Sequence, residues 1–536
     1  MTPEMAGDIS VATGNGHFAG GAPNSDALNG DIAGEQNPLL KIPRTDSGNG
    51  ERLALQHGHE LRYCHAHKAF YYYHPTKEYW ERDRCGFAHA CTKGIARALY
   101  KLASAILDRV ADIKDESKRK EASALAVGLV AWARNSEAAE RRKAALTCFQ
   151  SEPGIPIQPT DFDRDPDLLN VLNGTLDLKS FELRTHRPED YITRQCPVTF
   201  DPDARSPLWE RFLHDATGGD AELEAFIQRA AGYSLLGANP EEVFFIVHGP
   251  TASCKSTFLE ALKAMLGSYA ITASTESFLV KRGSSIPNDI AALAGRRLVI
   301  AIEADHGRKL AESLIKSMTG GDTMTARFLY AEFFEFKPQF ALWLGTNHLP
   351  RVNHADDSLW RRILRVPFVH QIPKERRDPA IKETLCAPEQ SGAAIFAWAM
   401  RGLKQYREIG LRPPDCVVHA TTDYRQKQNL LADFIEEHCT LDPEGKAAHS
   451  YLLDRFEQYN LKRRRDPVDV RDFKQALKLL GCVPTTLRVD AEIRWQTPAK
   501  AVTKGWRGLR VREETDDDVD FPAEQPEATE RIDAHM

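Results

Sequence analysis

The sequence lacks any run of 18 or more apolar residues, and its N-terminus, MTPEMAGDISVATG, lacks a basic stretch followed by an apolar core. The first absence predicts no membrane-spanning helix, and the second predicts no secretory signal. Ten cysteines fall at irregular spacings, so the framework of a disulfide-rich secreted protein is also missing. These absences together predict a cytoplasmic protein that has no membrane partner.

A large excess of one charge is lacking as well, since the formal net charge is −6 over 536 residues. The hydrophobic content of 42% and the charged content of 27% are those of an ordinary globular chain of several domains. Charge is unevenly placed: 421–512 holds 18 Lys and Arg against 13 Asp and Glu, and 513–536 holds ten Asp and Glu against one Arg. A basic module followed by an acidic tail is compatible with nucleic-acid binding.

Changes in composition and periodicity divide the chain into five predicted segments. These are a disordered tail (1–54), a mainly helical module with small strands (55–237), an α/β domain (238–415), a winged-helix-like domain (420–512) and an acidic disordered tail (513–536). For 420–512, a helical packing domain without DNA contacts is the alternative. KRRR at 462–465 fits a phosphate contact or a solvated helix end equally well.

Three short apolar runs define the predicted α/β domain: VFFIVHG (243–249), RRLVIAIEAD (296–305) and FALWLGTN (340–347). Apolar runs separated by helical segments are typical of a parallel sheet that is covered on both faces. The predicted fold class is therefore α/β.

The first run leads into GPTASCKST, which matches the phosphate-binding pattern G-x-x-x-x-G-K-[ST] except at one position, where Cys254 replaces glycine. In such a loop, backbone N–H groups bind phosphate, the lysine reaches the β- and γ-phosphates, and the hydroxyl binds Mg²⁺. The pattern predicts an ATP–Mg²⁺ site made of Gly249, Pro250, Thr251, Ala252, Ser253, Cys254, Lys255, Ser256 and Thr257.

Cys254 predicts a working site of reduced activity, because a small side chain still lets the loop close. Its thiol is expected to have a depressed pKa, since it lies at a helix N-terminus beside Lys255.

Polar residues follow the other predicted strands. Glu303 ends the second run and is predicted to hold Mg²⁺ or to polarise the attacking water. Asn347 ends the third run and is predicted to orient that water. Arg361 and Arg362 are either a surface ion pair or the site of an arginine finger.

Residues 57–91 contain nine His and Cys residues. Their spacings do not form the pairs that zinc sites usually show, and the aromatic residues around them favour packing over metal binding.

The phrases GPTASCKSTF, RLVIAIEAD, LIKSMTGGDTMTARFLY, FALWLGTNHLP and DDSLWRRILRVPF, in this order, resemble the superfamily 3 helicases. More narrowly, they resemble the phage and plasmid primase–helicase family that is related to the poxvirus primase–helicase. The resemblance covers roughly 55–510, and it is most specific at 243–370.

The resemblance implies an AAA+-like P-loop ATPase that forms a homo-hexamer and translocates on single-stranded or forked DNA with host or phage replication proteins. It implies that Arg362 or Arg361 acts as a finger on the neighbouring subunit, and it makes Arg327 and Lys337 candidates for DNA contacts in a channel hairpin. Ordinary surface charges of a hairpin fit these two residues equally well. Longer members carry a primase domain before the segment that begins near residue 55, so no primer synthesis is expected of this chain.

Two function classes follow. The first is an ATP-driven DNA helicase in the replication of a phage, prophage or plasmid. The second is a DNA-binding or assembly protein that binds ATP as a switch and hydrolyses it weakly, which Cys254 favours.

Overall fold

A computed structural model of the chain describes residues 37–280, 288–302, 308–327, 333–353, 356–428, 430–462, 470–490, 493, 495–497 and 501–512. The predicted tail 513–536 and the first 36 residues lie outside this part. None of the helices it contains has the length and apolar character needed to cross a bilayer.

The N-terminal region packs six helices around a three-stranded antiparallel sheet of order β1-β2-β3. Its elements are α1 (Pro38–Lys41), α2 (Asp46–His57), β1 (Leu61–Cys64), β2 (Ala69–Tyr73), β3 (Trp80–Arg82), α3 (Phe87–Cys91), α4 (Lys93–Val110), α5 (Glu116–Ser136) and α6 (Ala139–Phe149). The helical spacing of Ile95, Leu99 and Ile106 in α4 places all three in the core of this region.

Residues 37–54 differ from the predicted disordered tail, because they form α1 and most of α2. Leu53 is fully buried, and the buried Arg52 guanidinium donates to three backbone carbonyl oxygens. A Cβ at Gly50 would lie 2.7 Å from Cys148 Cβ of α6. The glycine content that suggested disorder therefore allows two helices to approach closely.

A second small sheet and two helices connect this region to the central sheet. They are β4 (Leu168–Val171), β5 (Gly174–Asp177), β6 (Leu183–Arg184), α7 (Pro207–Thr217) and α8 (Ala221–Tyr233). Trp209 of α7 and Phe226 of α8 belong to the same hydrophobic cluster as residues of the central sheet. The predicted boundary at residue 237 therefore does not separate two cores, because α7 and α8 cover the sheet.

The central region contains five parallel strands and a separate antiparallel hairpin. Its elements are β7 (Phe244–His248), α9 (Lys255–Leu266), β8 (Ala270–Thr272), α10 (Asn288–Ala291), β9 (Leu298–Ile302), α11 (Glu312–Thr319), β10 (Met324–Ala326), β11 (Phe334–Phe336), β12 (Ala341–Thr346), α12 (Asp357–Trp360), β13 (Ile363–Pro367), α13 (Ile381–Cys386), α14 (Ala393–Ile409) and α15 (Asp415–Lys427). The strand order is β13-β7-β12-β9-β8, and β10 pairs with β11.

Both faces of the parallel sheet are buried, as its apolar runs predicted. Along β7, Phe245 and Val247 belong to one hydrophobic cluster, and Phe244 and Ile246 belong to another. Because side chains alternate along a strand, these two clusters lie on opposite faces of the sheet. The α/β fold class with a parallel sheet is confirmed.

The C-terminal region has three helices and three antiparallel strands around a core of its own. Its elements are α16 (Leu430–His438), β14 (Cys439–Ala448), α17 (His449–Lys462), α18 (Val470–Leu479), β15 (Val483–Arg488) and β16 (Val502–Val511), with the sheet order β14-β16-β15. The sequence shows no clear strand signal for β14, because its register shifts between Asp442 and Lys446 and interrupts its alternation.

Helix α18 buries most of the face that its regularly spaced apolar residues form. Phe473 and Leu477 are fully buried, but Val470 at the start of the helix is exposed. Gly481, which follows the end of this helix, has φ 82°, the left-handed conformation that commonly ends helices.

Candidate functional site

The segment predicted to bind phosphate lies between the carboxyl end of β7 and the start of α9. β7 ends at His248, and α9 begins at Lys255, so the six residues between them form the loop. The first N–H groups of a helix have no acceptor within the helix, and those of α9 begin at this loop. The segment thus has the strand, loop and helix that the motif requires.

Gly249 is the one residue type that fits at the start of the loop. A Cβ at this position would lie 1.7 Å from the carbonyl oxygen of Phe368, which follows β13. The two chains are held this close because the Phe368 N–H donates to the His248 carbonyl oxygen at 2.8 Å. Any side chain at residue 249 would separate β13 from the loop.

Cys254 occupies a backbone conformation that favours glycine. Its φ is 67°, and Ala252 two residues earlier has φ 62°. The loop is held in this shape from the segment after β13, where the Ile372 N–H donates to the Ala252 carbonyl oxygen at 3.1 Å and Gln371 Nε2 donates to that of Thr251 at 2.9 Å. The motif therefore expects glycine at this position because glycine adopts this backbone conformation without strain.

Lys255 is folded back onto the loop. Its Nζ donates to the carbonyl oxygens of Gly249 at 2.8 Å and Pro250 at 2.6 Å, and to Ser253 Oγ at 3.1 Å. The residue is 8% exposed, and this burial lowers the pKa of the ammonium group. Ser256, the next residue, is exposed at the first turn of α9. The loop thus brings together a buried cation and an accessible hydroxyl.

The thiol of Cys254 does not have the depressed pKa that we expected from its position. Burial and then the Asp215 carboxylate raise the pKa, and Lys255 opposes them only in part, so that the pKa is about 11. The side chain packs against the hydrophobic cluster that covers the sheet. That expectation was wrong because the packing of the side chain could not be seen from its place in the motif.

We therefore expect Cys254 to react slowly with iodoacetamide at neutral pH. The thiolate is the reactive form, and at pH 8 a thiol of pKa about 11 is about 0.1% ionised. Labelling of intact protein followed by peptide mass spectrometry should show Cys85, which is exposed, modified well before Cys254. The Cys254 rate should rise as the pH increases towards 11. Faster labelling of Cys254 than of Cys85 at pH 7 would contradict the raised pKa.

The backbone conformation of Cys254 makes a second prediction. Replacing Cys254 with Gly or with Ala removes the thiol in both cases, but only Gly accepts φ 67° without a steric cost of about 1–2 kcal/mol. In calorimetry, the Cys254→Gly variant should melt about 2–4 °C above the Cys254→Ala variant. An Ala variant that melts at the same temperature or higher would show that the loop carries no such strain.

Asn347 lies at the same edge of the sheet as the loop. It follows β12, the strand next to β7, and the register places Thr346 opposite His248. The Asn347 side chain is exposed at this edge. Thr346 is buried, and its hydroxyl donates to the His348 carbonyl oxygen at 2.6 Å, which fixes the turn that presents Asn347. Glu303 lies outside the described residues, and β9 before it ends at Ile302 at this same edge.

His248, the last residue of β7, was not among the predicted site residues. Its Nδ1 accepts from Arg365 Nη2 at 3.1 Å, and the ring also bonds the Asn347 backbone. Burial, Arg365 and Lys255 lower its pKa to about 4, so the ring is neutral at physiological pH. His248 thus links three strands at the edge that carries the loop. The sequence signal that could have identified His248 is a polar residue at the end of an apolar strand.

Arg361 and Arg362 lie at the opposite edge of the sheet. The Arg362 carbonyl oxygen accepts from the N–H of Phe244, the first residue of β7, so a whole strand, about 16 Å, separates them from the loop. Arg362 is 8% exposed and donates to Glu242 Oε2 and to the Ser358 carbonyl oxygen, both at 2.6 Å. The Arg361 side chain is 66% exposed and lies 3.5 Å from the same carboxylate.

The hairpin of β10 and β11 carries Arg327 and Lys337 at its two ends. Arg327 follows β10, and its guanidinium lies 4.9 Å from the ring centre of Phe333. Lys337 follows β11, which pairs antiparallel with β10. Both residues are exposed, but the length of the strands separates them. They therefore do not form a single cluster.

Two family models match the chain. Residues 50–218 match the family described as "D5 N terminal like", and residues 247–362 match a "Family of unknown function (DUF5906)". The second match begins two residues before Gly249 and ends at Arg362. The two matches thus divide the chain between the N-terminal region and the central sheet.

The chain is similar to viral proteins that are named as helicases. It is 28% identical over 300 residues to "Putative helicase L207/L206" of Acanthamoeba polyphaga mimivirus, covering 52% of this chain and 31% of the relative. It is 26% identical over 388 residues to "Putative helicase 022R" of Frog virus 3 (isolate Goorha), covering 57% of this chain and 39% of the relative. The chain thus spans between three and four tenths of the length of these relatives.

The solved C-terminal region (305–718) of NrS-1 is 12% identical to this chain and superposes with a TM-score of 0.39. The match covers 62% of this chain and 74% of the NrS-1 chain. The family matches and the named relatives confirm the resemblance that the motifs indicated. The chain is thus similar, over about half of its length, to viral proteins that are named as putative helicases.

Proposed function

We propose that the protein is an ATP-dependent DNA helicase or translocase that acts in replication. The observation that carries this proposal is the loop between β7 and α9. There Gly249 alone fits against Phe368, Lys255 lies buried among loop oxygens, and the Ser256 hydroxyl faces solvent. Bound phosphates would offer Lys255 oxygen ligands in place of the loop carbonyls.

The strand order supports a P-loop core of the AAA+ kind. β12 lies between β7 and β9, so Asn347 emerges directly beside the loop, where it can orient a water molecule against the terminal phosphate. Mg²⁺ would be held by Ser256 and Glu303, and it would neutralise the charge of the transferring phosphoryl group. His248 would keep the end of β12 in register with the loop.

The arginine pair supports action between subunits. A side chain at the opposite edge of the sheet cannot reach its own loop, so a finger at this place would serve the site of a neighbour in a ring, which we propose to be a hexamer. Of the two candidates, Arg361 is exposed, whereas Arg362 is buried and held by Glu242. We therefore assign the finger to Arg361 in preference to Arg362.

The C-terminal region supports DNA binding by a winged helix. α18 follows α17 as the second helix of a helix–turn–helix pair would, and β15 and β16, which pair antiparallel, would form the wing. Lys474 and Lys478 lie one turn apart and are exposed on α18. The pKa of His449 is lowered by burial and then by Lys474 and Lys504, so a lysine of the helix and a lysine of the wing face the same place. Single-stranded or forked DNA would contact this surface and, inside a ring, Arg327 and Lys337.

One observation favours the second candidate function, an ATP-binding assembly protein with weak hydrolysis. Cys254 has a backbone conformation that costs energy to hold, and this cost can weaken the fit of the loop to phosphate. Cys254→Gly would then raise ATP turnover.

ATP hydrolysis with and without single-stranded DNA, together with strand separation of a forked duplex, decides between these functions. A helicase should show hydrolysis that DNA stimulates, and separation that requires ATP. Nucleotide binding without DNA-stimulated hydrolysis would reject the helicase and support the assembly protein.

A further inference from the structure

Three side chains of types that can bind a metal ion come together in the N-terminal region. They are far along the sequence from the loop between β7 and α9. His57 is the last residue of α2, Glu60 lies in the turn before β1, and Cys91 is the last residue of α3. His57 Nδ1 lies 2.6 Å from Glu60 Oε1. One ligand atom from each residue lies within 4.8 Å of the other two.

We propose that His57, Glu60 and Cys91 bind a zinc ion that joins α2 to α3. Imidazole nitrogen, carboxylate oxygen and thiolate sulfur are the three ligand types that zinc uses in proteins. Three protein ligands leave the fourth tetrahedral position to water. Between the imidazole and the carboxylate, zinc would need only a small rearrangement, since nitrogen and oxygen ligands at 2.0–2.1 Å around a tetrahedral ion stand roughly 3.3 Å apart. The imidazole and carboxylate would separate by less than about 1 Å.

The electrostatics around Cys91 support a bound cation. The thiol is nearly buried, and the Glu60 and Asp83 carboxylates lie near it. A divalent ion at this place would balance these charges, and a thiol that coordinates such an ion is deprotonated. Two carboxylates near a buried sulfur are unfavourable to a thiolate alone but favourable to a thiolate that binds zinc.

Asp83 positions the site without being available as a ligand. Its Oδ1 accepts from the N–H groups of Cys85, Gly86 and Phe87, and its Oδ2 accepts from that of Ala88, at 2.8–3.1 Å. These bonds fix the start of α3, and with it the position of Cys91 at the other end of this five-residue helix. The Cys91 side chain is therefore held in place before any ion binds.

The spacing of these residues explains why the sequence favoured packing over metal binding. His57 and Glu60 are three residues apart, and Cys91 follows after another 31. One ligand is a glutamate, which a search for His and Cys pairs does not consider. Cys85 and His89 belong to the same His- and Cys-rich segment, but neither is among the three clustered side chains.

The first test is the zinc content of the full-length protein, purified without chelators and measured by plasma mass spectrometry. We expect about one zinc per chain in the unmodified protein and in the matched controls Cys85→Ser and His89→Ala, and less than about a tenth of this in Cys91→Ser and His57→Ala. If the unmodified protein contains no zinc and takes up none when titrated with zinc chloride, the proposal is overturned. It is also overturned if Cys91→Ser keeps the full amount.

Cobalt in place of zinc tests the ligands without depending on protein yield. A Cys91 thiolate bound to Co²⁺ should produce a near-ultraviolet charge-transfer band in the unmodified protein and in Cys85→Ser, but not in Cys91→Ser. Circular dichroism would establish that the compared variants are folded, and Cys91→Ser alone suffices if His57→Ala does not fold. Binding of Co²⁺ without that band would remove Cys91 from the site and reject the proposal.

Discussion

Replacing Lys255 with Ala is expected to reduce ATP hydrolysis by at least about 100-fold, the loss typical when a positioned group that stabilises transition-state charge is removed. The ammonium group is the one buried cation within hydrogen-bonding distance of the loop oxygens of Gly249 and Pro250 in the described part of the chain. Steady-state release of phosphate measures the effect. The fold should survive, because the hydrogen bonds that are lost lie within a surface loop and contribute about 1 kcal/mol each.

Lys263 provides the matched control for this prediction. It lies two turns further along α9 and its side chain is partly exposed, so Lys263→Ala changes the same residue type on the same helix away from the loop. We expect Lys263→Ala to hydrolyse ATP at the rate of the unmodified protein. A folded Lys255→Ala variant with the unmodified rate would place the nucleotide site elsewhere.

Replacing Arg361 with Ala is expected to lower ATP hydrolysis by about 1000-fold or more while leaving the melting temperature unchanged. Its side chain is 66% exposed, so its removal leaves no buried group without a hydrogen-bond partner. Arg362→Ala should instead lower the free energy of unfolding by about 1–3 kcal/mol, because it removes the buried hydrogen bonds to Glu242 and the Ser358 carbonyl oxygen. Comparing activity with thermal stability for the two variants separates a finger from a structural arginine.

Mixing subunits tests whether the finger acts on the neighbouring subunit. Rings that contain both Lys255→Ala and Arg361→Ala subunits have some interfaces at which an intact loop meets an intact arginine, so part of the activity should return. No recovery at any ratio, in rings shown to be mixed by native mass spectrometry, would reject action between subunits. If Arg362→Ala folds normally, loses activity and is rescued by mixing, the finger is Arg362.

The regular parts of the fold could be predicted because their signals are local. The apolar runs at β7, β9 and β12 and the helical spacing in α4 and α18 give the observed elements, and burial on both sheet faces follows from the lack of alternation in the runs. The helix over 46–57 was missed because its glycines, taken locally, indicate disorder. In the structure, Gly50 instead lets α2 pack closely against Cys148 of α6. β14 was missed because its shift in register breaks the alternation.

The motif residues of the candidate site were found from the sequence, but their surroundings were not. The spacing of Gly249, Lys255 and Ser256 is a local pattern that follows from how a loop and a helix N-terminus bind phosphate. The role of His248 depends on Arg365, 117 positions away, and the raised pKa of Cys254 depends on burial and on the Asp215 carboxylate. Neither effect leaves a pattern in the neighbouring sequence.

The sequence by itself indicated the α/β fold class, the loop pattern at 249–256 and the resemblance to the primase–helicases, because each depends on residue types at short, regular spacings. Tertiary structure alone decided which arginine is exposed, since Arg361 and Arg362 are adjacent and of identical chemistry. It also decided that His57, Glu60 and Cys91 lie together, because that contact requires α2, β1 and α3 to pack around one core. Burial and proximity arise from the path of the whole chain, and no short stretch of sequence contains them.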